Sequence, residues 1–431
     1  MPNFKFTIVK HIYLSVLLLS ICLHGYSQDS LKSYQTTVKH LSSAYFNGRG
    51  YTNEGVDKAS DYIEKEFIKL DGIAFASDYK QYFDVSVNTF PYSTLLIVNQ
   101  DTLKAGADYL ATGNSQSLKG NFEVVNISID SLLIANYLPL KLKENQIFLI
   151  DFNAISELPE FETKKKQVYK LIQENEPVFN RVVFNSESKL TWSPDISVSS
   201  KTWIYIHEYK KDIKTIEVAI KNKYIAQYTT RNVLCYVPGK TEPDSFIVFT
   251  AHYDHLGNFG DAIFPGANDN ASGVAMLLEL LNYFSTNKSD FTIVFIAFSG
   301  EEIGLKGSTY FANHPMFDLE KIAFLWNLDL AGTGEEGIQI VNSTLYEKEF
   351  QLVDSLNTKY NLLNTIKKRG AACNSDHCPF HQKNVPSFYS YTLGGNKAYH
   401  DLNDRYENIS FYAFENYKQL LIKFVESYKT R

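Results

Sequence analysis

Apolar residues recur at spacings of three and four over Val56, Ala59, Tyr62, Ile63, Phe67 and Leu70, which predicts an amphipathic helix. The period then shortens. Short β-like runs follow at Thr94–Val98, Phe122–Ile129, Ile147–Asp151, Arg181–Phe184 and Thr202–His207, with one helix-like segment, Lys164–Glu174, among them. From residue 229 the pattern becomes strand, loop, helix, strand. Phe246–Thr250 is a continuous apolar run, as a strand covered on both faces requires, and Phe291–Phe298 and Ile322–Leu328 read as a second and a third buried strand. Val274, Leu277, Leu278, Leu281 and Phe284 mark one face of a helix starting near Asn270, and Phe414, Tyr417, Leu421, Phe424 and Tyr428 mark a closing helix.

Strands that alternate with helices predict an α/β fold of three layers, a mixed and mostly parallel sheet between two helical layers. The β-rich stretch reads as an inserted domain over residues 91–226, flanked by two parts of the α/β domain at 28–90 and 227–431. Residues 1–27 read as a signal peptide. Lys5 and Lys10 precede an apolar run from Tyr13 to Leu23, and Gly25-Tyr26-Ser27 offers small residues before Gln28. That run is short against the ~20 residues of a membrane-spanning helix, so cleavage near Ser27–Gln28 and a secreted or periplasmic chain without a membrane span are expected. Export implies an oxidising compartment, where Cys373 and Cys378 could pair across a loop, whereas Cys235 in its apolar run reads as a buried thiol. A formal charge of −6 with no block of Lys or Arg argues against a nucleic-acid partner.

Each of the three buried runs ends in an acid or a histidine: Ala251-His252-Tyr253-Asp254, Ser299-Gly300-Glu301-Glu302 and Asn327-Leu328-Asp329. In an open α/β sheet, ligands bind beyond the carboxyl ends of the strands, so these residues converge on one crevice. Asp269, at a helix start after a glycine-containing loop, and His400 complete a mixed set of imidazoles and carboxylates suited to zinc. Two ions about 3.5–4 Å apart would share a bridging carboxylate and hold a water between them. Asp254 is placed to accept the other N–H of His252, and Glu301 is free to act as a general base.

The ordered strings go further. Ala251–Gly257 (AHYDHLG), Gly266–Gly273 (GANDNASG), Phe298–Ser308 (FSGEEIGLKGS), Asn327-Leu328-Asp329, Ser375-Asp376-His377 and Tyr399-His400 resemble the zinc aminopeptidases of metallopeptidase clan MH, which include bacterial leucyl aminopeptidases and glutamate-carboxypeptidase-like exopeptidases. Gly48-Arg49 is a weaker upstream match. The resemblance implies that His252, Asp269 and Asp329 hold one Zn2+ and that Asp269, Glu302 and His400 hold a second. It also implies Glu301 as the base, Asp254 as the orienting acid and Tyr399 as a donor to the oxyanion. His255 and His377 are expected beside the ligands rather than among them. Asp401 departs from the Thr or Ser usual after the final histidine. The insert sits where such enzymes carry a protease-associated domain. The expected function is a secreted metallo-aminopeptidase acting on peptide substrates. The alternatives are a dizinc carboxypeptidase or dipeptidase, which an arginine cluster would favour, a one-zinc glutaminyl cyclase, and a receptor-like relative without catalysis.

Overall fold

The computed structural model describes residues 29–134 and 142–429, so the expected signal peptide lies outside the described residues. Two eight-stranded sheets organise the chain. The first runs in the order Lys80–Thr89, Lys223–Val237, Phe291–Phe298, Glu242–His252, Ile322–Leu328, Ser387–Leu393, Gly337–Val341 and Ile366–Lys368. Its centre, from Phe291–Phe298 across to Ser387–Leu393, is parallel, and the strands flanking that centre are antiparallel to it. The mixed α/β sheet is therefore as expected.

The apolar runs are continuous because each face of the sheet has its own cover. Ile247, Phe249, Ala251, Phe295 and Trp326 pack with helices Gly55–Lys69, Gly273–Thr286 and Phe414–Ser427. The alternate positions Val248, Val294, Ile296 and Leu325 pack with Phe311 and Phe380, from the short helices Lys306–Asn313 and His377–Gln382 on the other face. Burial on both faces admits only hydrogen-bonded polar residues before the strand ends, such as Thr292, whose hydroxyl donates to the Pro243 carbonyl. Register then aligns those ends, with His252 opposite Phe298 and Thr250 opposite Asn327.

The second sheet runs in the order Asp101–Leu103, Leu95–Val98, Thr215–Ile220, Leu118–Asn126, Gln146–Asp151, Arg181–Ser186, Thr202–His207 and Tyr109–Ala111. Helix Phe161–Glu174 covers one face through Val168 and Ile172. The other face joins Ile147, Val183, Ile204 and Trp192 to Leu256, Phe259 and Phe264, which belong to the first sheet's connections. The two sheets thus share an apolar contact close to the strand ends of the first.

The helix expected near Asn270 begins only at Gly273. Residues Ala267–Ser272 form a distorted turn in which Asp269 is extended, at φ −107° and ψ 96°. The Asn270 side chain caps the helix by accepting the Gly273 N–H at 2.9 Å. Cys373 and Cys378 are disulfide-bonded, and Cys235 is a buried free thiol. No described helix is long and apolar enough to cross a membrane.

Candidate metal centre

The carboxyl ends of the parallel strands deliver His252, Glu301, Glu302 and Asp329. The distorted turn adds Asp269, and the loop after Ser387–Leu393 adds His400. All five expected ligands meet. The Nε2 atom of His252 lies 3.3 Å from Asp269 Oδ1 and 3.5 Å from Asp329 Oδ1. The Nε2 atom of His400 lies 3.4 Å from Asp269 Oδ2 and 3.1 Å from Glu302 Oε2. Asp269 therefore turns one oxygen to each histidine and stands between two donor groups. His255 also reaches the second group, its Nδ1 2.7 Å from Glu302 Oε1, while its buried Nε2 has no hydrogen-bond partner.

The donor set fits zinc. Imidazole nitrogens and carboxylate oxygens converge, buried, with Asp329 Oδ1 lacking any hydrogen-bond partner. Their electrostatics call for added positive charge. Burial favours a neutral His400, yet Glu302 and Asp269 outweigh it and push the imidazole up to about 11. His252 moves well upward in the same way, its desolvation overcome by Glu301, Asp329 and Asp269. Burial raises Glu301 well above the usual carboxylate range, His252 opposing and Glu302, Asp376 and Asp329 adding to it. A metal cation would take the place that protons hold at these nitrogens.

Asp254 acts differently from expectation. The nearest acceptor to His252 Nδ1 is the Asp254 main-chain carbonyl at 3.1 Å, with the carboxylate Oδ1 at 3.9 Å. That carboxylate instead accepts the N–H groups of Glu301 at 3.1 Å and Glu302 at 3.4 Å, and the Tyr51 hydroxyl at 3.1 Å. The reason is geometric: the turn after Phe298 presents its amides to the neighbouring strand end. Tyr399 is half-exposed, its ring stacked on His400 with centroids 3.9 Å apart. Partial burial, then the charges of Asp269, Glu302, Asp329 and Glu301, raise its hydroxyl so that it stays protonated. His377 lies apart from the ligands, its Nε2 2.8 Å from the Ala372 carbonyl and its ring stacked on Tyr389.

Known proteins bear on this geometry. Residues 232–425, which contain every residue of the cluster, match the model of peptidase family M28. Over those residues the chain is similar to peptidase family M28. It is 30% identical over 243 residues to the aminopeptidase YwaD of Bacillus subtilis, a match covering 52% of this chain and 51% of that protein. A zinc metalloprotease sequence of Pyricularia oryzae is 39% identical over 112 residues, covering 25% of this chain and 22% of its own length. The chain thus spans about half, or less, of these curated relatives. Among solved structures, a zinc aminopeptidase from Bacillus subtilis superposes with a TM-score of 0.65 at 21% identity over 92% of this chain and 94% of its own. A Shewanella amazonensis M28 peptidase precursor gives 0.67 at 16% identity over 94% and 98%. At these identities the superpositions establish the fold.

Several further residues build the site, and of these Asp404, Tyr389 and Ser193 carry no signal of their own in the sequence. Asp404 is buried and accepts Asn268 N–H at 2.8 Å and Asp269 N–H at 2.9 Å, one oxygen to each. Burial pushes its carboxyl up to about 7, opposed by those two amides. Arg49 is wholly buried and donates to the carbonyls of Tyr253, Leu41, Pro265, Gly266 and Asp269. These bonds use every N–H of the guanidinium. Gly266 makes the turn possible at φ +58°, where a Cβ would lie 2.2 Å from the Asp269 carbonyl oxygen. Asp376, from the Ser-Asp-His string, is buried without a well-formed hydrogen bond at either oxygen, and burial raises it to about 7 with His252 and the Ser308 hydroxyl opposing. Tyr389 OH lies 3.5 Å from Asp329 Oδ2. Ser193, from the second sheet's connections, reaches His400 Nδ1 at 3.0 Å.

Proposed function

We propose that the protein is an exported zinc aminopeptidase that removes residues from the amino ends of peptides. The observation that carries this reading is Asp269, with one oxygen toward His252 and the other toward His400. On this reading His252, Asp269 and Asp329 hold one zinc, and Asp269, Glu302 and His400 hold a second. Bound zinc supplies Lewis acidity, which lowers the pKa of water toward about 7 and polarises a carbonyl.

The chain's own residues do the rest. Glu301 lies beside both donor groups, with a carboxylate oxygen within 4.8 Å of ligand atoms of His252 and Glu302, and acts as the general base. It takes a proton from the attacking water and delivers it to the leaving amine nitrogen. Asp254 holds Glu301 in place through its main-chain amide. The Tyr399 hydroxyl donates to the carbonyl oxygen as negative charge develops there. Asp404 and Arg49 hold the main chain around Asp269, so the bridging carboxylate needs no rearrangement during turnover.

Charge supports the amino end of the substrate. The buried cluster is rich in carboxylates, and Arg49 has no donor left for a substrate carboxylate. Arg369 donates to the Tyr391 hydroxyl and Arg405 to the Leu402 carbonyl. A cationic α-amino group is favoured in such surroundings over an anionic carboxyl end. Export is supported by the apolar run Tyr13–Leu23 and the small residues before Gln28. The β-rich second sheet is read here as a protease-associated-like module beside the site.

Hydrolysis of aminoacyl-p-nitroanilides and of amino-blocked peptides, by zinc-loaded and chelated protein, tests the reading. Release from free amino ends alone, abolished by chelation, is the expected result. Cleavage of blocked peptides from the carboxyl end would replace it with a carboxypeptidase, and zinc binding without turnover on any substrate would overturn the enzymatic reading.

A further inference from the structure

His400 is the one expected ligand outside the strand ends and the turn beside them. Its backbone is left-handed, at φ +53°, a conformation costly for a residue with a Cβ. Something must hold it, and the contacts that do so come from the second sheet's connections. The Trp192 N–H donates to the His400 carbonyl at 3.1 Å, and Ser193 Oγ lies 3.0 Å from His400 Nδ1. Lys189 forms an ion pair with Asp401 and donates to the carbonyls of Lys397 at 3.2 Å and Tyr399 at 3.3 Å. This segment is itself firmly seated. Trp192 is buried, its indole N–H donates to the Ala111 carbonyl at 3.0 Å, and its ring stacks on Phe264. Pro194 bridges Gly113 in the second sheet's own framework.

We propose that Lys189–Ser193 is a positioning strap for His400, which makes the inserted module a working part of the metal centre. This rests on His400 being a zinc ligand. With Nε2 directed at Glu302 and Asp269, Nδ1 carries the proton and donates to Ser193 Oγ. That bond fixes both tautomer and ring orientation. Lys189 accounts for the departure at Asp401: an acid follows the histidine here because a lysine from the other sheet neutralises it. Asp401 also accepts the Asn403 N–H at 2.6 Å, which ties the ion pair to the loop that leads to Asp404. Ser193 and Lys189 are positioning residues, acting through His400 on the zinc.

The test is zinc titration of the full chain against a chromophoric chelator, with the visible spectrum of the Co2+-loaded protein as a second readout. Removing such a partner typically weakens metal binding by ~10–100-fold. Ser193→Ala is expected to lose affinity by that factor and to shift the cobalt spectrum, with circular dichroism unchanged. Ser193→Thr, which keeps the hydroxyl, is expected to restore both. Lys189→Met is expected to weaken zinc binding several-fold, and adding Asp401→Asn to it should recover most of the loss. If Ser193→Ala and Lys189→Met bind zinc as the parent does while His400→Ala does not, the strap is wrong and the ligand assignment survives. If His400→Ala itself binds zinc unchanged, the ligand assignment fails and the strap falls with it.

Discussion

The two sheets share a run of parallel strands and differ in chemistry at the strand ends. Both place four parallel strands side by side. Both end those strands in polar residues. In the second sheet those residues are satisfied where they stand. Asp151 accepts the Asn153 N–H at 3.0 Å and the Asn185 side-chain amide at 3.2 Å. Asn185 in turn pairs with both main-chain groups of Tyr209, and Ser186 accepts the Ser188 N–H. In the first sheet the acids outnumber the donors offered to them. Asp329 Oδ1 and both oxygens of Asp376 lack good partners although they are buried. Unpaired buried charge is expensive unless a counter-ion is present. A parallel sheet thus makes a crevice, but only a surplus of unsatisfied ligands makes that crevice a candidate metal centre.

The largest effect expected from this contrast lies at Glu301. Glu301→Gln should keep zinc and lower kcat by ~10²–10⁴-fold, the usual worth of a general base. Metal analysis alongside steady-state kinetics checks it, and near-normal turnover would put Glu301 in the same class as the caps of the second sheet. Next comes pH. In the metal-free protein His400 holds its proton up to a pH of about 11, and His252 is also raised, so at neutral pH zinc has to displace protons. Zinc affinity should therefore rise with pH, by about tenfold per unit for each proton released. Calorimetry in buffers of different ionisation enthalpy reads that proton release, and affinity independent of pH would contradict it. The smallest effect belongs to Asp151, the cap of the turn Phe152–Ile155. Asp151→Ala should cost about 1 kcal/mol in chemical denaturation while zinc binding and turnover stay at parent values. A loss of zinc in that variant would break the division between the two sheets.

Much of this division is legible along the chain. The runs Phe246–Thr250, Phe291–Phe298 and Ile322–Leu328 announce strands covered on both sides, and the acids and histidines at their ends stand out because nothing charged precedes them within the runs. The strand Ser387–Leu393 is not legible in this way, since Ser387, Ser390 and Thr392 interrupt its apolar pattern although all three are buried. The helix begins at Gly273 rather than near Asn270 because the Asp269 carboxylate turns to His252 and His400 and the Asn270 side chain does the capping. Asp254 shows the same limit. Its position two residues after His252 predicts an acid paired with that imidazole, but the Asp254 main-chain carbonyl takes the role and the acid turns to Glu301 and Glu302.

The sequence by itself determined the alternation of strands and helices, the acids and histidines gathered at strand ends, and the family they resemble. These depend on short-range periodicity and on residue type, which are local properties of the chain. Tertiary structure decided which polar groups remain unsatisfied, and from where the support for each ligand comes. Arg49 reaches the carbonyl of Asp269 from 220 residues away, and Ser193 reaches His400 from 207 residues away. No local pattern encodes such pairings, because a serine or a lysine on a loop satisfies its hydrogen bonds equally well with water until packing of the two sheets brings a buried imidazole or carboxylate against it.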